Sequence, residues 1–248
     1  MDKGIYIKID NEQLFEKVKR AVIQLIKQLT EIGKDRLPPE SDLAASLGVS
    51  RTVIRDVLAD LESKGFISRK RGIGTIINKH VLEADVRLDI DQEIKDILLQ
   101  KGYEPKIEVI NFEKLLADEK VAKLLKINPN EEILQVETVI YADGNPAVHI
   151  IDKIPLKLIS APYDIRDFEG SIFEFMKEKC SNQIESDLSQ VKPAKADAHL
   201  AAIFQMEEGD LLLFLDEIGY SAGNEPILWS QEYFHPEIFD FKVFRRKL

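Results

Sequence analysis

The chain has 248 residues, room for two domains, and 44% hydrophobic residues to give each a core. No run approaches the roughly 18 apolar residues of a membrane span, and the opening MDKGIYIKIDNEQ carries no apolar signal region, so no membrane partner is expected. Cys180 stands alone, which excludes an internal disulfide and fits a reducing cytoplasm.

The net charge of −10 is unevenly spread. Residues 1–80 hold 15 Lys/Arg against 11 Asp/Glu, whereas residues 81–248 hold 19 against 33. A locally basic N-terminal module facing phosphates and a larger acidic module kept off them are the natural division. His80, His149, His199 and His235 have no ligand-like spacing, so no metal site and no cofactor are expected.

In chain order, Asn11–Leu29 repeats apolar residues at helical spacing and Gly33 ends it. A second helix is expected from about Pro39 to Leu47. Gly48 takes the turn, where positive φ is cheap for glycine. Ser50 caps a third helix running to about Lys64. That helix buries Val53, Ile54, Val57, Leu58 and Leu61, and Gly65 stops it. Phe66–Ser68 and Thr75–Asn78 read as two strands around a tip that holds Arg69, Lys70, Arg71, Gly72, Ile73 and Gly74. Residues 1–78 thus form a winged helix-turn-helix domain, and 79–88 a short charged linker.

Residues 89–248 alternate helices and strands. Helices are expected at Asp89–Lys101, Asp118–Lys126, Ser171–Lys179 and Ala194–Phe204. Strands are expected at Lys106–Lys114, Ile133–Ala142, Ala147–Ile154, Gln183–Val191, Leu211–Ser221, Ile227–Phe234 and Phe241–Arg245. Two of the strand pairs are hairpins, turning at Asp143-Gly144-Asn145-Pro146 and Ala222-Gly223-Asn224. The whole is α+β with an antiparallel sheet. Ala122–Asn145 aligns without gaps on Ala201–Asn224, matching Tyr141 to Tyr220, Gly144 to Gly223 and Asn145 to Asn224. The shared helix and turn favour a true duplication, two helix–hairpin units in one sheet with pseudo-twofold symmetry.

DNA recognition needs side chains on base edges and cations on phosphates. The first residues of the second helix of a helix-turn-helix reach the major groove. Here they are Ser50, Arg51, Thr52 and Arg55. Arginine can grip a guanine through two hydrogen bonds, and Arg51 and Arg55, four apart, share a face. By themselves two such arginines would be a solvated surface. The adjoining Arg69-Lys70-Arg71-Gly72-Ile73-Gly74 tip shifts the reading to phosphate contact.

The run LPPESDLAASLGVSRTVIRDVLADLESKGFISRKRGIGT resembles the winged helix-turn-helix of GntR-type bacterial transcription regulators over about residues 8–78. The resemblance assigns Arg51, Thr52 and Arg55 to base and phosphate contacts, and Arg71 and Gly72 to the wing tip. Two positions depart from the family pattern: Pro39 replaces the usual Ser or Ala, and Ser41 replaces a common DNA-contacting arginine.

Residues 88–248 are similar to the UTRA effector domain of the HutC-like branch, of chorismate-lyase-like fold. Its carriers are Tyr141-Ala142-Asp143-Gly144-Asn145-Pro146, Gly170-Ser171-Ile172-Phe173 and Pro226-Ile227-Leu228-Trp229-Ser230 followed by Tyr233-Phe234. The resemblance implies a small organic effector held between helices and sheet. Sugar-phosphate-sensing members place arginines about where Thr138 and Ile140 stand, and a carboxylate and a tyrosine about where Leu228 and Phe234 stand. The missing cations point to an effector without phosphate, partly apolar or amine-bearing. Thr138, Ile140, Ser171, Glu217, Leu228, Ser230 and Phe234 are the candidate contacts. Thr138 reads equally well as an ordinary strand residue, Glu217 as a salt-bridge partner, and Ser171 better as a helix cap.

The expected protein is therefore a homodimeric repressor, binding a near-palindromic double-stranded operator under control of the effector. A chorismate-lyase-like enzyme and a non-specific architectural DNA binder are the alternatives. Fold does not dictate function, Arg166 is the only arginine between Arg87 and Arg245, and no Ser/His/Asp or Cys/His arrangement stands out. The acidic balance speaks against the architectural binder.

Overall fold

The computed structural model describes residues 11–82, 86–90, 92–168 and 170–245. Two compact units emerge: residues 1–91 with 241–248, and residues 92–240.

In the first unit, α1 (Asn11–Glu31), α2 (Glu40–Leu47) and α3 (Arg51–Ser63) close on one core. Val22, Ile26, Leu43, Ile54, Val57, Leu58 and Leu61 are its centre. The turn between α2 and α3 rests on Gly48 at φ 65°, whose N–H donates back to the Ala44 carbonyl. Ser50 then caps α3 by accepting from the Val53 N–H at 3.3 Å. The wing is β1 (Ile67–Lys70) paired antiparallel with β2 (Gly74–Ile77), so its tip is shorter than the sequence suggests, at Arg71-Gly72-Ile73.

The expected linker and last strand come out differently. Lys79–Leu82 is a helical turn, α4, and β3 (Val86–Arg87) pairs in parallel with β10 (Phe241–Lys242). Residues 83–85 lie outside the described residues. The chain's last described stretch thus belongs to the first unit instead of adding a strand to the sheet of the second. Arg87 explains the attraction. Its guanidinium donates to the Lys64 carbonyl at 2.6 Å and to Asp89, and it lies between the rings of Phe66 and Phe244 at 5.3 and 5.4 Å. A buried cation needs this full set of partners.

The second unit begins with α5 (Ile94–Gln100), shorter than the expected Asp89–Lys101. Six antiparallel strands follow in the spatial order β4-β5-β6-β9-β8-β7. They are β4 (Pro105–Leu116), β5 (Glu132–Ala142), β6 (Asn145–Pro155), β7 (Ser186–Lys195), β8 (Leu211–Tyr220) and β9 (Pro226–Phe234). Helices α6 (Glu119–Leu125) and α8 (Ala198–Phe204) pack on one face through Ile133, Trp229, Leu212 and Tyr233. On the other face α7 (Ile172–Lys179) packs Phe175 and Met176 against Leu134, Val136, Ile154 and Leu228.

The duplication is visible in three dimensions. The strand order is symmetric about the β6–β9 pair. Asp118 and Asp197 cap α6 and α8 identically, each accepting from the N–H three residues on, at 2.7 and 2.9 Å. Lys126 and Gln205 close the same helices in the left-handed conformation. The β6–β9 register pairs Ile151 with Gln231, and the pseudo-twofold axis passes there.

Candidate functional site

Arg51, Thr52 and Arg55 are exposed on the first turns of α3, while Ile54, Val57, Leu58 and Leu61 fill the core behind them. Burial of the apolar stripe therefore presents the polar stripe outward. Arg55 Nε donates to Glu40 Oε2 at 2.9 Å, which ties the start of α2 to α3. On the wing, Lys70, Arg71, Gly72 and Gly74 are exposed. Arg69 is engaged elsewhere: its backbone N–H and its Nε both donate to the Glu62 carboxylate at 2.7 Å. It braces the wing against α3 and is less available to phosphates than the tip. Sequence reasoning missed Arg36, whose Nη1 donates to the Ile73 carbonyl of the wing tip at 3.2 Å. Only the fold brings it beside the wing. Ser41, in place of the family's arginine, is exposed and donates to Asp42 at 3.0 Å.

The candidate effector residues on strands share the sheet face that α7 covers. Cross-strand register sets them in rows. One row reads Thr138, Ile150, Glu232 and Leu215; the next reads Val136, Asp152, Ser230 and Glu217. Ile140 and Phe234 lie one row beyond Thr138, and Leu228 one row beyond Ser230. Thr138 and Glu217, equivalent positions of the repeat, sit on β5 and β8, three strand spacings or about 14 Å apart. One small group cannot touch both. Ser171 caps α7, accepting from the Phe173 N–H at 3.0 Å and donating to Glu93 Oε1 at 2.7 Å, so its hydroxyl serves the helix end.

Asp152, beside the axis, is the polar group that sequence reasoning overlooked. It is buried, its Oδ1 has no hydrogen-bond partner, and it pairs across strands with buried Ser230. Burial pushes its carboxyl up to about 7; a hydrogen bond with Ser230 opposes this and the charge of Glu217 adds to it. Tyr163, packed on the same cluster as Val136, also has a buried hydroxyl with no partner. The signal for Asp152 was a lone acid in the apolar run AVHIIDKIP. A groove lined by Tyr103, Asn145, Phe204 and His235 holds none of the candidate residues.

Two of the four histidines, which have no ligand-like spacing in the sequence, meet in space. His149 Nε2 and His199 Nε2 approach Glu137 Oε1 at 2.7 and 3.0 Å on the sheet face that α8 covers. Strand pairing and helix docking join residues that linear spacing kept apart. Burial drives the His149 imidazole below its usual value against the pull of Glu137. Glu137 is held below the usual carboxylate range because its hydrogen bonds to His199 and His149 outweigh the cost of burial. Burial of Cys180 raises its thiol to about 11, which suits a structural residue.

Comparison with known proteins matches residues 14–77 to the bacterial regulatory proteins of the gntR family, and residues 100–240 to the UTRA domain. YurK, an uncharacterized HTH-type transcriptional regulator of Bacillus subtilis, is 22% identical over 231 residues, covering 93% of this chain and 94% of its own. The HTH-type transcriptional repressor NagR of the same organism is 23% identical, covering 86% of each chain. The crystal structure of YydK from B. subtilis superposes with a TM-score of 0.77 at 21% identity, covering 94% of this chain and 99% of that one.

Proposed function

Because the chain belongs to the gntR family of bacterial regulatory proteins and carries a UTRA effector domain, we propose that this transcription regulator is a dimeric repressor released from its operator by a cationic effector. Double-stranded DNA is read by Arg51, Thr52 and Arg55 in the major groove, while Lys70, Arg71 and the Gly72 and Gly74 backbone follow the phosphates. One recognition helix covers half a site, so a homodimer on a near-palindromic operator is the working unit. NagR, a relative named as a repressor, supports the sign of regulation. The relatives' names favour a regulator over a chorismate-lyase-like enzyme.

The effector is a small molecule bearing an amine and no phosphate, held on the α7 face of the sheet. The observation that carries this is Asp152: a buried carboxyl oxygen without a partner, on a face that also holds Glu217 and Glu232. No Lys or Arg occupies the two rows through Thr138 and Asp152, from β4 to β7. Such a site repels phosphate and rewards a cation that can donate hydrogen bonds. A thermal-shift panel of amines, neutral sugars and sugar phosphates tests it on wild type and Asp152→Asn. Selective stabilisation of the wild type by an amine supports the reading; selective stabilisation by a sugar phosphate sinks it. An operator footprint of monomer size without dyad symmetry sinks the dimer.

A further inference from the structure

We propose that Glu137, His149 and His199 bind a divalent first-row transition metal ion, with zinc the natural occupant, on the sheet face opposite the effector residues. Three residues of the right kinds converge there: one ligand atom from each of Glu137, His149 and His199 lies within 4.8 Å of the others, and both Nε2 atoms approach Glu137 Oε1. Two imidazoles and one carboxylate suit such ions and leave coordination positions open to water.

The elements that supply the ligands are well anchored. Glu137 on β5 and His149 on β6 lie on the same side of paired strands, since His149 is register partner to Val139 and Glu137 to Ile151. His149 is fully buried and its ring stacks on Tyr233, with centroids 5.9 Å apart. Its orientation is thereby fixed with Nε2 towards the site. His199 is on the first turn of α8, held by the Asp197 cap, and its side chain is 62% exposed. An ion can therefore enter from the His199 side.

The two distances to Glu137 fit a site that closes on hydrogen bonds without the ion. Metal–ligand lengths near 2.0–2.1 Å in a tetrahedron place neighbouring ligand atoms about 3.3 Å apart. The 2.7 and 3.0 Å contacts need to open by only a few tenths of an ångström. His149 Nδ1 has no hydrogen-bond partner. The Glu137 carboxylate can only accept, so without an ion the His149 proton sits on Nε2; ligation moves that proton to Nδ1 and frees the Nε2 lone pair.

The other half of the repeat shows that packing alone does not demand this trio. Pseudo-symmetry places Asp216 where Glu137 stands, Trp229 where His149 stands and Lys120 where His199 stands. There the indole Nε1 donates to Asp216 Oδ1 at 2.7 Å and the Lys120 ammonium sits 4.5 Å over the indole ring. The same fold position is filled by a hydrogen bond and a cation–π contact, neither able to ligate a metal through nitrogen lone pairs. Among the described residues, only the first half assembles three ligand atoms.

Full-length protein stripped with a chelator and then titrated with Zn²⁺ by calorimetry, and with Co²⁺ by visible absorption, tests the site. The expected result is one ion per chain, a raised Tm, and cobalt bands of a low-coordinate nitrogen–oxygen site. His199→Ala alters an exposed side chain and spares the core. It is expected to weaken binding more than about tenfold, since even outer partners of metal ligands are worth 10- to 100-fold. Glu137→Gln is expected to do the same, and His235→Ala to leave binding unchanged. Absence of stoichiometric binding, or equal binding by wild type and His199→Ala, overturns the proposal.

Discussion

Asp152 on β6 and Ser230 on β9 are direct cross-strand partners one step from the pseudo-twofold axis, and both are buried. An acid whose folded-state value is raised to about 7 binds its proton more tightly folded than unfolded. Its contribution is therefore fully favourable below the ordinary carboxylate range near 4 and is lost as pH rises through about 7. Asp152→Asn is expected to stabilise the protein at pH 8 by on the order of 2–4 kcal/mol and to change little at pH 4. Denaturant melts at the two pH values check this. Equal effects at both would show that the carboxyl is not raised.

Arg51 and Arg71 differ in what they can contact, and their variants should differ accordingly. Arg51→Ala is expected to cost about 1–3 kcal/mol on the operator and to relax preference at one base pair. Arg71→Ala should weaken specific and non-specific binding alike and lower the salt slope by about 1. Fluorescence anisotropy over a salt series, with operator and scrambled DNA, separates the two.

Arg87 offers a stability test of the first unit. Its side chain is 3% exposed, yet it is charged and satisfied by Asp89 and the Lys64 carbonyl at the end of the recognition helix. Arg87→Ala removes the countercharge of Asp89 and the side-chain donor to the Lys64 carbonyl, and is expected to cost about 3 kcal/mol. Arg87→Lys should recover little, since an ammonium cannot fill the planar slot between Phe66 and Phe244. Thermal melts followed by circular dichroism give the ranking.

Gly48 and Gly65 both have positive φ, at 65° and 80°, but their surroundings differ. A Cβ on Gly48 meets nothing within 4 Å, so Gly48→Ala should cost about 1 kcal/mol from backbone strain alone. At Gly65 the same atom would fall 2.3–2.9 Å from the Phe244 ring. Gly65→Ala should cost more, and a Phe244→Ala background should remove the excess. A double-mutant cycle reads the coupling directly.

Much of the fold was legible because its signals are local. The apolar period of α3, the Ser50 cap and the Gly48 turn need only neighbouring residues to act. The duplicated hairpins were equally plain, since their turns carry the Asp-Gly-Asn and Ala-Gly-Asn residues that such turns require. The partnership of Phe241–Lys242 with Val86–Arg87 was not legible. Two-residue strands carry no period, and their register depends on a buried arginine seen only after folding.

The candidate sites divide along the same line. The DNA-facing residues follow from one helix and one hairpin, so their identity was readable from spacing, although the bracing of Arg69 by Glu62 was not. On the α7 face, period-2 counting placed Thr138 and Glu217 on one side of the sheet, but two strands, β6 and β9, lie between them. Asp152 escaped notice because one acid in an apolar run reveals its cost only when burial and partners are known.

By itself, then, the sequence determined the winged helix-turn-helix, the repeat and the charge division between the two modules, because propensity, periodicity and composition act along the chain. The tertiary structure alone decided that Asp152 lies beside the symmetry axis without a full set of partners. It also decided that His149 and His199 meet on Glu137. Both depend on strand register and helix docking, which bring together groups that sequence distance keeps unrelated.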